Sequence, residues 1–164
     1  MNFRIIIMVV NMTLKSLKFI GFFLTLFFGI ILNNLYILYP NIITSLVAPT
    51  NESIIEYLKL LFGSIIFAGV IQKIIIILFK LNFKNNCFSN FIGAIVSIIT
   101  FLILYLPIYF IIGHNYIIKI IFTIISIIIA EIISYIIMNK KDYKLENKTI
   151  LFVILTYMFF LLLR

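Results

Sequence analysis

Glu52, Glu56 and Lys59 stand four and three residues apart in the stretch Asn51-Glu52-Ser53-Ile54-Ile55-Glu56-Tyr57-Leu58-Lys59. On a helix this spacing gathers two carboxylates and an ammonium on one face. Carboxylates so gathered can bind a cation, relay a proton or serve as a general base. The single histidine, His114, falls in the short turn Gly113-His114-Asn115, which the charge pattern puts at the same end of the molecule. Two carboxylates with one imidazole can hold a divalent cation, but these residues match no metal-binding spacing, so no metal is assigned and a histidine at headgroup level is the simpler reading. Pro49 breaks the chain before the stretch, and Thr50 or Asn51 can cap the first amides of the helix that follows. The candidate ligand-binding set is Asn51, Glu52, Ser53, Glu56, Lys59 and His114, and no cofactor is indicated.

The face that carries Glu52, Glu56 and Lys59 continues through Gly63 to Lys73, with Gln72 expected to point away from it. A later apolar run contains Glu131, beside a small and polar face made by Lys119, Thr123, Ser126, Ala130 and Ser134. Lys73 and Glu131 both lie roughly 10–12 Å inside the same boundary at about 1.5 Å of rise per residue. Equal depth and opposite charge predict an intramembrane Lys73–Glu131 ion pair, either functional or a device for packing specificity.

These residues sit in a chain of 164 residues that is 65% hydrophobic and only 11% charged, with a mean hydropathy of +1.28. Spanning a bilayer core of about 30 Å takes about 20 apolar helical residues. Five stretches approach that length, near residues 19–39, 54–79, 91–112, 116–138 and 145–163, the last being the shortest apolar run. The expected fold is all-α, a polytopic transmembrane helical bundle of about five helices forming one domain over residues 19–164. Residues 1–18 are expected to form a cytoplasmic N-terminal segment. Met12 opens a stretch that looks like an ordinary start, so residues 1–11 read as a misassigned extension. Arg4, Lys15, Lys18, Lys80, Lys84, Lys140, Lys141, Lys144 and Lys148 collect on one side, against Lys59, Lys119 and Arg164 on the other. That asymmetry predicts a cytoplasmic N-terminus. The same lysines flank apolar helices, so the net charge of +8 points to the lipid bilayer as partner rather than to nucleic acid. Small-residue faces such as Gly93 with Ser97 offer a helix-packing surface for a homo- or hetero-oligomer. Cys87 has no partner for an intramolecular disulfide. No phosphate-binding glycine loop, H-E-x-x-H, G-x-S-x-G or C-x-x-C motif occurs.

The run Leu46 to Leu61, LVAPTNESIIEYLKLL, resembles the APVNESVWEHLKLLF signature of a family of small bacterial integral membrane proteins of unknown function. Gly113 to Tyr135 is similar to a later segment of that family. The resemblance points to Pro49, Asn51, Glu52, Ser53, Glu56, Leu58 and Lys59, and more weakly to His114. Ile55 and Tyr57 depart from the family's Trp and His. Three functional readings follow. The first is small-ligand or cation binding in a transport-related or accessory role. The second is a structural partner of another membrane protein. The third, an intramembrane enzyme acting on lipid with Glu52 or Glu56 as general base, lacks an identifiable nucleophile, so an enzyme is the less favoured class.

Overall fold

The computed structural model describes residues 12–163, apart from the side chain of Asn147. Residues 1–11, including Arg4, and Arg164 lie outside the described residues, as does the proposed misassigned start. Six helices follow in order: α1 Leu14–Leu38, α2 Ile42–Val47, α3 Ile54–Leu78, α4 Asn86–Ile112, α5 Tyr116–Met138 and α6 Glu146–Leu162. Among the described residues the fold is all-helical, and α1, α3, α4 and α5 are long and apolar enough to cross a membrane. The fifth expected span is the 17-residue α6, only about 26 Å long at the usual helical rise.

Three features differ from the sequence expectation: α1 and α4 each start five residues early, at Leu14 and Asn86, and the α1–α3 connection is helical. Thr13 caps α1 by accepting a hydrogen bond from the amide of Ser16 at 3.2 Å, so the helix starts at Leu14 and takes in Lys15 and Lys18. The segment joining α1 to α3 is a short helix of its own, α2, closed by a reciprocal capping box between Asn41 and Thr44. Pro107 lies inside α4 without ending it.

α3 is the most buried of the four long helices and runs through the middle of the bundle. Leu58, Leu61, Phe62 and Ile65 on it pack with Ala94, Phe101, Tyr105, Ile127, Ala130 and Phe160. The outward surface is strongly apolar: Phe19, Phe23, Phe27 and Ile30 form an exposed stripe on α1, and Ile99, Ile103 and Ile128 continue it on α4 and α5. Polar residues turn inward instead, among them Lys18, Thr25, Glu56, Lys59, Gln72, Asn86, Asn90 and Ser134. That inversion is what lipid demands, since hydrocarbon rewards apolar exposure and offers no hydrogen-bond partner.

The most extensive helix pairing, α4 with α5, uses the small faces noted above. Gly93, Ser97, Ser126, Ala130 and Ser134 are buried within the chain, where they serve internal packing. A Cβ added at Gly93 would stand 3.0 Å from the backbone oxygen of Ala130, which cannot retreat without moving α5. Gly29 has only the Ser64 Cβ, at 4.0 Å. Gly93→Ala should therefore lower unfolding stability in detergent by about 1–3 kcal/mol, as overpacking does. Gly29→Ala should be neutral or stabilising by up to about 1 kcal/mol. Equal behaviour of the two variants in chemical denaturation would contradict the close α4–α5 approach.

Candidate functional site

The Asn51–Lys59 signature folds as a closed cap on α3. Ser53, rather than Thr50 or Asn51, is the N-cap residue, and its hydroxyl accepts from the amide of Glu56 at 3.3 Å. Asn51 Oδ1 accepts from the amide of Ser53 at 2.9 Å and holds the turn that leads into the helix. Glu56 Oε2 accepts from the amide of Thr50 at 3.1 Å and pairs with Lys59 Nζ at 2.6 Å. Lys59 Nζ also donates to the carbonyl of Ser45 at 3.0 Å, tying α2 to α3. Glu56 and Lys59 are 2% and 1% exposed, so both charges are held inside and balance one another.

The other members of the expected set part company with this pair. Asn51, Glu52 and Ser53 are exposed, and Glu52 precedes the helix instead of lying on its stripe. His114 is exposed in the α4–α5 turn. Among the described residues no group of three His, Cys, Asp or Glu side chains is placed to hold a metal. Tyr57, in the place where the resembled family has a histidine, shares a hydrogen bond with Thr123 Oγ1 at 2.5 Å. The ammonium of Lys119 lies 3.9 Å from the centre of the Tyr57 ring, a cation–π contact.

The larger polar cluster is at the opposite, lysine-rich end of the bundle, where α1, α3, α4 and α5 meet. Lys18 Nζ donates to Gln72 Oε1 at 3.2 Å, Asn90 Oδ1 at 2.9 Å and Ser134 Oγ at 2.6 Å, one acceptor from each of α3, α4 and α5. An ammonium has three protons, so this set satisfies it in full. Ser134 Oγ in turn donates to Asn90 Oδ1 at 3.1 Å. Asn90 Nδ2 donates to Gln72 Oε1 at 3.0 Å and to Asn86 Oδ1 at 3.3 Å, and Asn86 Nδ2 closes the chain on the carbonyl of Gly69 at 3.0 Å. Two glycines clear the space. A Cβ at Gly21 would fall 1.8 Å from Gln72 Nε2, and one at Gly69 would fall 2.7 Å from Asn90 Nδ2.

Glu131 supplies the countercharge, its Oε2 standing 3.7 Å from Lys18 Nζ. The expected Lys73–Glu131 pair is thus replaced by two others, since Lys73 binds Glu146 Oε2 at 2.6 Å. The physical reason is the entry of α6. Its first residue, Glu146, reaches back across the start of α4, where Oε1 accepts from the amide of Asn86 at 3.1 Å and Oε2 holds Lys73. Lys73 and Glu146 are both about one-third exposed, so this pair is a rim contact, whereas Lys18 and Glu131 are buried. Gln72, expected to point away from the functional face, is fully buried because α3 is surrounded on that side as well.

Glu131 Oε2 is buried and accepts no hydrogen bond. Lys18 and Glu131 line a cleft of about 430 Å³ between α1 and α5, walled by Phe19, Phe22, Ile128 and Ile132 and edged by Lys15 and Tyr135. In the sequence Lys18 and Asn90 look like residues flanking a span. Their signal was nonetheless present: Lys18, Gly21 and Thr25 follow at helical spacing, as do Asn86, Ser89, Asn90, Gly93 and Ser97. Comparison with known proteins gives no match to any family model, curated protein or solved structure.

Breaking a buried pair from one side strands the other charge, at a cost of about 3–5 kcal/mol. Glu56→Gln and Lys59→Met should therefore each be strongly destabilising in detergent unfolding, and the double variant should lose clearly less than the sum of the two. Additive losses would show that the two side chains do not act as a pair.

Proposed function

We propose that this chain is an integral protein of a bacterial plasma membrane, lysine-rich end in the cytoplasm, that binds a small ligand from within the bilayer in a transport-related or accessory role. The observation that carries the reading is the α1–α5 cleft, an apolar-walled opening lined by the buried Lys18–Glu131 pair. Sites for small molecules have this form, mostly apolar walls with a few placed polar groups, and volumes of about 300–1,000 Å³. The outer signature supports such a role poorly, because an entering cation would have to displace Lys59 from Glu56. Its resemblance to the small bacterial membrane family fits a shared helix cap equally well.

A second reading, a structural partner of another membrane protein, draws on that same dry and paired cap. The outward apolar faces of α1 and α6 would be its contact surfaces.

Photolabelling separates the two. A diazirine-bearing hexadecanol, added to the protein in phosphatidylcholine nanodiscs, should label residues 19–22 and 128–132 saturably. Ile128→Trp, which fills the cleft from a half-exposed position, should abolish that labelling. Diffuse, unsaturable labelling of all outward faces, unchanged by the substitution, would remove the ligand-binding reading and favour the structural one.

A further inference from the structure

A pocket separate from the α1–α5 cleft lies between the loops at the lysine-rich end, and its chemistry does not depend on that cleft. It encloses about 430 Å³ and is lined by Lys73 of α3, Lys84 and Asn85 of the α3–α4 loop, and Asp142, Lys144 and Glu146 on the approach to α6. One side chain ties the two loops together. Asn85, only 1% exposed, donates through Nδ2 to the carbonyl of Lys141 at 3.0 Å and accepts at Oδ1 from the amide of Tyr143 at 2.9 Å. The rings of Phe88 and Tyr143 pack at 5.7 Å beside this clasp. Asn85 and Lys144 both hold left-handed backbone, with φ of 59° and 53°. Asn takes that region readily, whereas a Lys there is uncommon and persists where its surroundings fix it. The pocket is thus shaped by specific contacts.

Its charges are unequally engaged. Both oxygens of Glu146 have partners, Oε1 the amide of Asn86 at 3.1 Å and Oε2 the ammonium of Lys73 at 2.6 Å. Asp142 turns Oδ1 to the amide of Lys144 at 2.9 Å. Lys84 and Lys144 are exposed, and among the described residues neither ammonium makes an ion pair or a hydrogen bond. Three lysines against two acids give the lining a net charge of +1, and the two side chains with no partner are both cationic. α4 and α6 also begin here, at Asn86 and Glu146, so their dipoles add to the positive potential.

We propose that this pocket binds a phosphoester anion whose phosphoryl oxygens bridge Lys84 on one loop and Lys144 on the other. Phosphate spreads its charge over several oxygens, so it can meet point-like ammoniums that arrive from different elements. A phosphodiester carries one negative charge and leaves the lining neutral. The volume falls in the range of small-molecule sites and holds the esterified alcohol as well as the phosphate, with half-buried Phe83 as an apolar wall. Lys73 stands five residues from the end of α3, about 8 Å along the helix, so the pocket opens at headgroup depth. A phospholipid headgroup and a soluble phosphoester can both reach it there.

Binding to the full-length protein in maltoside detergent tests the assignment and separates the two sources. Native mass spectrometry should show phosphatidylglycerol retained over a diacylglycerol of the same chains if the source is lipid. Calorimetric titration should show glycerol 3-phosphate bound, and glycerol and glycerate not bound, if the source is soluble. Either result supports the site. Lys84→Gln with Lys144→Gln should weaken that binding at least about tenfold, the order expected for loss of a charge-assisted hydrogen bond. Lys84→Arg with Lys144→Arg should keep it. Lys80→Gln with Lys140→Gln removes the same charge from exposed positions outside the pocket and should leave binding unchanged. Equal weakening by the two glutamine pairs would show diffuse attraction to a basic surface and overturn the site. Glycerate binding as tightly as glycerol 3-phosphate, or failure of both phosphoesters to exceed their phosphate-free counterparts, would overturn the ligand class.

Discussion

An ammonium inside an apolar bundle must find every acceptor it needs within the chain, and Lys18 meets that constraint by recruiting one acceptor each from α3, α4 and α5. Much of the architecture at that end follows. Gly21 and Gly69 clear the way for Gln72 and Asn90, Asn86 anchors the network to the backbone of α3, and Glu131 balances the charge. Four helices are held in register by one side chain. In a bilayer, where burial of apolar surface gives helices little reason to associate, such polar contacts and close small-residue packing are what distinguish one bundle arrangement from another.

The two ends of the molecule treat charge differently. At the signature end, Glu56 and Lys59 lie one turn apart on the same helix, and the Ser45 carbonyl of α2 gives Lys59 a second acceptor. At the lysine-rich end the ammonium takes its three acceptors from three other helices, and the pair it forms with Glu131 lines a cleft. The opening in the bundle therefore lies beside the Lys18–Glu131 pair, not where the sequence motif is most conspicuous. The motif residues Asn51, Ser53 and Glu56 are explained by turn formation, capping and pairing.

Helical class, the long spans and the inward turn of polar residues were legible in the sequence, because a lipid environment makes length, apolarity and rare charges strong signals. The boundaries of α3 and α5 were also close to those observed. Partner choice was not legible. Matching Lys73 to Glu131 by depth assumed that each lysine before a span stays in solvent and that the last helix merely follows the fourth. Lys18 entered the bundle instead, and Glu146 at the start of α6 claimed Lys73. Depth along a helix can be counted from sequence, whereas azimuth around a central helix such as α3 depends on which neighbours cover it. Gln72 shows this directly, being wholly buried on a face that looked unoccupied.

The central claim is that Lys18 is a buried tie between four helices while Lys15, one turn away, is free. Reductive methylation with carbon-13 formaldehyde of the protein in nanodiscs, followed by peptide mass analysis, measures this directly. Lys15 should be methylated at the rate of the loop lysines, with Lys18 protected until the bundle is unfolded. Modification of Lys18 at the same rate as Lys15 in the folded protein would contradict the network on which the structure and its proposed site depend.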